Sequence, residues 1–563
     1  MKVERYSTVY VMRNKKYPLY EIEDICNMKE LLELVALKFG DKPAFTFDRG
    51  NELVSVSYKQ LKADVEALGA VLTSMGMRNS KVALIGENSY DWVITYFAVV
   101  NSGNIIVPLD RELPEADIKN LCGKAGTDIF VYSEAYADVK AYLSEGATAG
   151  MRFICKTEYP GLLEKGRTLT AEGENPVAAF QIDNNAPMAI LFTSGTTGVA
   201  KGVVLSHFSI TKDALGCYQL VDVKGRNMLV LPLHHAFGFE AAILTMLLSC
   251  SEICINTSLK NVITDLERFK PYNMFMVPLF VEKFYKRIWQ AAKKKGKDNL
   301  LRKLVKVSDG LLSVGIDKRR LLFKSVLNAL GGNLRLIICG GAPIDVRYIQ
   351  GFRSLGINIL NGYGITECSP VVTVTRNHHY CDGSAGLVLS YCDVKIVDPD
   401  EDGNGEILVK GDNIMLGYYK DEEATKATFD GEWFRTGDIG HLNKDGFLFI
   451  TGRKKNLIVL SSGKNIYPEE LEFELMNIPL IGEVVVREDA ASKGSMAMLI
   501  AEIFPDHEAA EEQGVTDLQT HFDSAIAEFN KTVPPYKHIQ RVILREAEFV
   551  KTTTKKIKRG VEK

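Results

Sequence analysis

Residues 191–203, LFTSGTTGVAKGV, bring together the groups needed to hold a polyphosphate. Gly195, Gly198 and Gly202 leave the backbone free to bend tightly and to approach a ligand closely. Thr193, Ser194, Thr196 and Thr197 carry hydroxyls that donate to oxyanions, and Lys201 adds a positive charge. Backbone N–H groups in such a run form a concave anion nest. The spacing is not that of a Walker A loop, since no Gly-Lys-Ser/Thr closes a G-x-x-x-x-G-K pattern. A flexible Gly/Thr connector is the competing reading. The unbroken Ser/Thr/Gly run 193–198, between the apolar strand-like segment 188–192 and a lysine, favours phosphate.

Other chemistry-bearing residues lie downstream. In NGYGITECSP (361–370), Gly362 and Gly364 flank Tyr363, whose ring can stack on a planar base. Glu367 in the same peptide is a hard oxygen ligand suited to Mg2+ beside phosphates, although a β-turn with a surface carboxylate would look alike. LPLHHAFG (231–238) holds His234 and His235, which read as a hydrogen-bonded structural pair. A metal site is not expected there: adjacent histidines should point apart, and no Cys or Asp stands at fitting spacing. Asp438, Arg453 and the basic tail 550–559 would by themselves read as surface charge.

Taken together, these peptides resemble the motifs of the adenylate-forming superfamily, in that family's order and over nearly four hundred residues. The resemblance implies that loop residues Thr193, Ser194, Gly195, Thr196, Thr197, Gly198 and Lys201 hold the ATP triphosphate while a carboxylate attacks the α-phosphate. It assigns Asn361, Gly362, Tyr363 and Gly364 to the adenine, Thr366 to phosphate, Glu367 to Mg2+, and Gly340, Gly341 and Ala342 to a wall between nucleotide and acid. Asp438 and Arg453 fall at the ribose contacts, and His235 at the histidine that positions the carboxylate; His234 occupies a variable position. Lys455 falls at the hinge of a mobile small domain, and Gly463 at a channel for the thiol acceptor. VKTTTKKIKR (550–559) matches the terminal motif except that Val550 replaces its proline and Lys555 its glycine. Spacing to Ile557 and Arg559 makes Lys556 the catalytic lysine.

The implied activity is ATP-dependent conversion of a carboxylic acid to acyl-AMP, then transfer to the thiol of CoA, with ATP, Mg2+ and CoA as partners. Segments 361–370 and 461–472, with the basic insert after VPLFVEKFYKRI, are most similar to bacterial long- or medium-chain fatty acyl-CoA synthetases. Acyl-carrier protein is the alternative thiol acceptor. A non-catalytic lipid-binding adaptor is the rival outside enzymes, and Thr196, Glu367, Asp438 and Lys556 argue against it.

These residues need a scaffold of several elements, and 563 residues exceed one ordinary core. A net charge of −3 argues against nucleic-acid binding, and ten cysteines without a C-x-x-C pair read as reduced thiols of a cytoplasmic protein. The charged N-terminal stretch lacks an apolar signal core, and glutamates interrupt the most apolar window, 236–255, which reads as a buried helix and strand. After a capping Ser57, Leu61, Val65, Leu68, Leu72 and Met75 recur at helical spacing. Strand-like runs at 82–85, 105–109, 129–132, 228–233 and 334–339 alternate with helical ones, the pattern of an α/β sheet. Between 282 and 324 fourteen Lys/Arg face four Asp/Glu; helices with a solvated basic face are expected, and peripheral contact with anionic lipid is the sharper alternative. Turn signals crowd together from 383, marking a β subdomain. The expected organisation is a large layered α/β domain, 1–452, and a small mobile α+β domain, 453–563, hinged near Lys455.

Overall fold

The helix announced after Ser57 is Tyr58–Ser74, and the Ser57 side chain accepts the N–H of Gln60 at its start. Leu61, Val65, Leu68 and Leu72 are all buried, so the helical period and the burial agree. The computed structural model describes residues 17–563 except 51, 149, 194–199, 257, 461–463, 490–497, 552–556 and 560–563.

Contacts divide the chain into two units. The larger, residues 17–393 with 409–434, holds two sheets. One runs in the order Gly417–Tyr418, Lys201–Ser206, Pro187–Thr193, Ile105–Pro108, Lys81–Ile85, Ile129–Tyr132, Arg152–Cys155. Its members from Ile105–Pro108 to Arg152–Cys155 pair in parallel, the doubly wound arrangement that places ligands beyond strand C-termini. The second sheet has nine strands, with Arg226–Leu229, Asn273–Met276, Leu336–Cys339 and Asn358–Gly364 adjacent and parallel. Ile337, Cys339 and Met274 are fully buried, as strands covered on both faces require. The apolar window folds as a π-helical turn Phe237–Ile243, the helix Leu244–Leu248 and the strand Glu252–Ile255. The basic stretch is helical over Pro278–Lys294, Asp298–Ser313 and Arg319–Leu322, with Phe284 and Leu301 turned into the core. No helix among the described residues is long and apolar enough to cross a membrane.

The second unit comprises 394–408 and 435–563. Strands Ile481–Glu488, Leu499–Pro505 and Ile539–Leu544 form its main sheet, and the helices Pro468–Leu475 and Leu518–Asn530 contribute Leu471, Leu475, Phe522 and Ile526 to its core. The division by contacts lies upstream of the compositional break at 452. Trp433–Leu442 pairs with Leu448–Arg453, so residues on both sides of Gly452 belong to one strand ladder.

Candidate active site

In the larger unit, Thr193 ends one strand and Lys201 begins its antiparallel partner, so the two face each other as a register pair at either end of the Gly/Thr-rich segment. Ser194, Gly195, Thr196, Thr197 and Gly198 lie outside the described residues. Gly202 has a role other than loop bending. It sits inside the strand Lys201–Ser206, where a Cβ would press on Ile190, Phe192 and Tyr419 at 3.0–3.2 Å. Lys201 Nζ stands 4.7 Å above the ring of Tyr418, whose hydroxyl donates to Glu367 Oε1 at 2.9 Å. Burial, reinforced by the Glu367 carboxylate, drives the Tyr418 phenol far above its ordinary range, so it stays a neutral donor. Glu367, half-buried in the short turn Thr366–Cys368, is thereby oriented, and its carboxylate suits a hard divalent cation such as Mg2+. Tyr418 carried no signal in the sequence because its partner is 51 residues away.

Asn358–Gly364 delivers the second motif as a strand. The glycines there allow close packing more than bending: a Cβ on Gly364 would lie 2.0 Å from the Pro370 carbonyl oxygen, and one on Gly362 3.1 Å from that of Thr373. Asn361 donates from Nδ2 to the Ser384 carbonyl at 3.0 Å, while its buried Oδ1 has no partner among the described residues. An orphan amide oxygen beside Tyr363 fits an exocyclic amine of a purine base. Gly340 and Gly341 follow the strand Leu336–Cys339; Gly341 holds φ +86°, a left-handed conformation that favours glycine. Ala342 continues from them in the same bend.

Gly340, Gly341, Gly362, Tyr363 and Gly364 border a narrow pocket of about 80 Å³. The rest of its lining is apolar apart from Thr245 and two thiols: Val221, Val223, Phe237, Ala241, Phe275, Ile338 and Val371 contribute to it. The π-helical turn Phe237–Ile243 brings both Phe237 and Ala241 to this wall. Glu240, in the same turn, is buried; Tyr96 donates to its Oε1 at 3.0 Å, and Oε2 has no partner among the described residues. Burial pushes its carboxyl up to about 7.

His235 lies in the loop that precedes this turn, and its carbonyl accepts the N–H of Gly238 at 2.8 Å. Asn88 clamps the loop, donating to the Leu231 carbonyl at 2.7 Å and accepting the Leu233 N–H at 3.1 Å. The expectation that the two histidines diverge is not met. Their ring centroids are 4.3 Å apart, and His234 Nε2 lies 3.3 Å from Asp110 Oδ1. Spacing along the chain hid this carboxylate, because Asp110 arrives from the other sheet, just past the strand Ile105–Pro108.

In the second unit, Asp438 and Arg453 face each other across paired strands, with Arg453 Nε 2.6 Å from Asp438 Oδ1. Asp438 is buried, so a charged partner offsets the cost of its desolvation. Lys455 sits in the turn Lys454–Asn456, where burial and then the charges of Arg453 and Arg559 lower its ammonium pKa. Gly463 and Lys556 lie outside the described residues. Lys551 and Ile557, within the terminal segment 550–559, bridge to each other, and Arg559 pairs with Glu472 of Pro468–Leu475. Each unit thus gathers its own share of the expected residues: phosphate, base and acid contacts in the larger, the ribose pair in the second.

The AMP-binding enzyme family matches residues 32–419. Long-chain-fatty-acid–CoA ligase FadD15 of Mycobacterium bovis is 29% identical over 539 residues, covering 88% of each chain. Indoleacetate–CoA ligase of Aromatoleum aromaticum is 29% identical over 472 residues, covering 81% of this chain and 84% of its own. Among solved structures, anthranilate CoA ligase AuaEII in complex with anthranoyl-AMP superposes with a TM-score of 0.73 over 97% of this chain and 98% of its own, at 18% identity, a likeness of fold. The family match spans more than half of the chain and includes the phosphate-loop, glycine-wall and Tyr363–Glu367 segments. This chain belongs to the AMP-binding enzyme family.

Proposed function

We propose that the protein activates a medium- or long-chain fatty acid with ATP and transfers the acyl group to CoA. The observation that carries the choice of acid is the apolar pocket running from Phe237 and Val371 to the Gly340–Gly341 wall. No charged side chain lines it, so it suits the apolar carbons next to a carboxylate held at the glycine-bordered end. The fatty-acid ligase among the relatives supports the same reading.

A carboxylate is a poor acyl donor because oxide would have to leave. In the first step a carboxylate oxygen bonds to the α-phosphorus, the bridge to the β-phosphate breaks, and pyrophosphate departs with the bonding pair. In the second, the CoA sulfur bonds to the acyl carbon, its proton passes to solvent, and AMP leaves. No enzyme nucleophile is required, so positioning and charge do the catalysis. Thr193 and Lys201, with the hydroxyls of Ser194, Thr196 and Thr197, hold the phosphates; Thr366 adds a contact and Glu367 holds Mg2+. Mg2+ supplies charge neutralisation on the departing phosphates. Asn361, Gly362, Tyr363 and Gly364 receive adenine, Asp438 and Arg453 the ribose, and Gly340, Gly341 and Ala342 separate nucleotide from acid. His235 orients the carboxylate, and Lys556 neutralises charge where carboxylate and α-phosphate meet. Residues 453–563 then turn about Lys455, withdrawing Lys556 and opening a thiol path at Gly463. The short turn Lys454–Asn456, flanked by strands, is consistent with a pivot there.

Acid-dependent exchange of labelled pyrophosphate into ATP tests the reading, run over saturated acids of increasing length and over aromatic acids. Exchange that rises with chain length is the expected result. Exchange with aromatic acids alone would overturn the choice of acid, and none with any acid would overturn the reaction.

A further inference from the structure

Two strand ends from different sheets converge on three metal-ligating side chains. Asp110 follows Ile105–Pro108 in one sheet, and His234 and His235 follow Arg226–Leu229 in the other. One ligand-capable atom from each of the three lies within 4.8 Å of the other two. The His234 side chain is 8% exposed, and its Nε2, although 3.3 Å from Asp110 Oδ1, makes no hydrogen bond among the described residues. Asp110 Oδ1 accepts the Glu112 N–H at 2.9 Å and keeps a second lone pair, so it and the unbonded His234 Nε2 can face a common point. Around a tetrahedral Zn2+ with bonds of about 2.0–2.1 Å, neighbouring ligand atoms stand about 3.4 Å apart. The His234–Asp110 pair already has that spacing, and one ligand atom of His235 lies within 4.8 Å of both. The histidine loop is held in place by both Asn88 hydrogen bonds, so the donors are presented by a fixed backbone.

We propose that Asp110, His234 and His235 form a binding site for a divalent transition-metal ion such as Zn2+, with a coordination position left open. Two imidazoles and one carboxylate are a donor set for such an ion, and differ from the oxygen-only ligands that Mg2+ takes beside phosphates. The consequence for turnover rests on the function proposed above: an ion held by His235 removes the imidazole that orients the acid, so Zn2+ competes with the acid and not with ATP.

Co2+ serves as the probe, titrated into the full-length, chelator-treated protein without nucleotide. The expected result is a visible absorption band that saturates at one ion per chain, is displaced by Zn2+, and weakens in affinity at least tenfold in both Asp110→Asn and His234→Gln. Two substitutions on different sheets guard against the misfolding of one. Intense near-ultraviolet thiolate absorption would put the ion on some of the ten cysteines and overturn the proposal, as would affinity unchanged in either folded variant. In turnover, Zn2+ should raise KM for the acid and leave KM for ATP alone; the reverse would overturn the placement. The Co2+ spectrum reads the ion whether or not any acid is activated, so loss of the proposed reaction and loss of the metal site are distinguishable.

Discussion

Replacing Glu240 with glutamine tests the buried face of the pocket wall. The carboxyl is buried in the π-helical turn, accepts from Tyr96 at Oε1, and has an Oε2 with no partner among the described residues. Desolvation raises its pKa from an ordinary 4.5 to about 7. The folded chain therefore keeps a proton that the unfolded chain releases between those values. Stability from the protonated carboxyl is complete below pH 4.5 and is lost as pH rises through about 7. A tenfold step is worth about 1.4 kcal/mol, so the loss amounts to about 3 kcal/mol at most. Asp213, buried on the helix His207–Leu220, is pushed upward by burial and further by the Glu240 charge, so the difference between the two proteins reports Glu240 together with its coupling to Asp213, both of the same sign. Glutamine mimics the protonated acid at every pH. Thermal midpoints of the two proteins should nearly coincide at pH 5, and the variant should melt higher at pH 8. A constant offset across that range, of either sign, would refute the account of a carboxyl strained by its own charge.

Three further outcomes follow from the geometry and the proposed chemistry. Tyr418→Phe removes the donor that orients Glu367, a hydrogen bond to a charged group worth about 1.5–3 kcal/mol, so pyrophosphate exchange should fall at least tenfold at limiting Mg2+ with KM for the acid unchanged. Ala241→Trp fills the apolar pocket and should cut kcat/KM at least tenfold for a long-chain acid relative to a short one; equal losses would remove the alkyl chain from that pocket. Lys556→Ala should abolish acyl-AMP formation while thioester formation from supplied acyl-AMP persists, and parallel loss of both half-reactions would count against the assigned role.

Local chemistry made much of the molecule legible. Ser57 with its apolar periodicity announced Tyr58–Ser74, and the buried runs at 129–132 and 334–339 announced strands, because capping and side-chain period act over a few residues. The motif peptides identified the family and with it the reaction class, since each carries its groups within a dozen positions. Contacts formed across long separations left no such trace. Asp110 meets His234 from another sheet, Tyr418 reaches Glu367 from a distant strand, and the glycines at 202, 362 and 364 answer to neighbours that press on them from adjacent strands. The pocket that argues for an alkyl acid depends on the same effect: Val221, Ala241, Phe275 and Val371 are ordinary core residues one by one, and only close packing of separate elements leaves a slot between them.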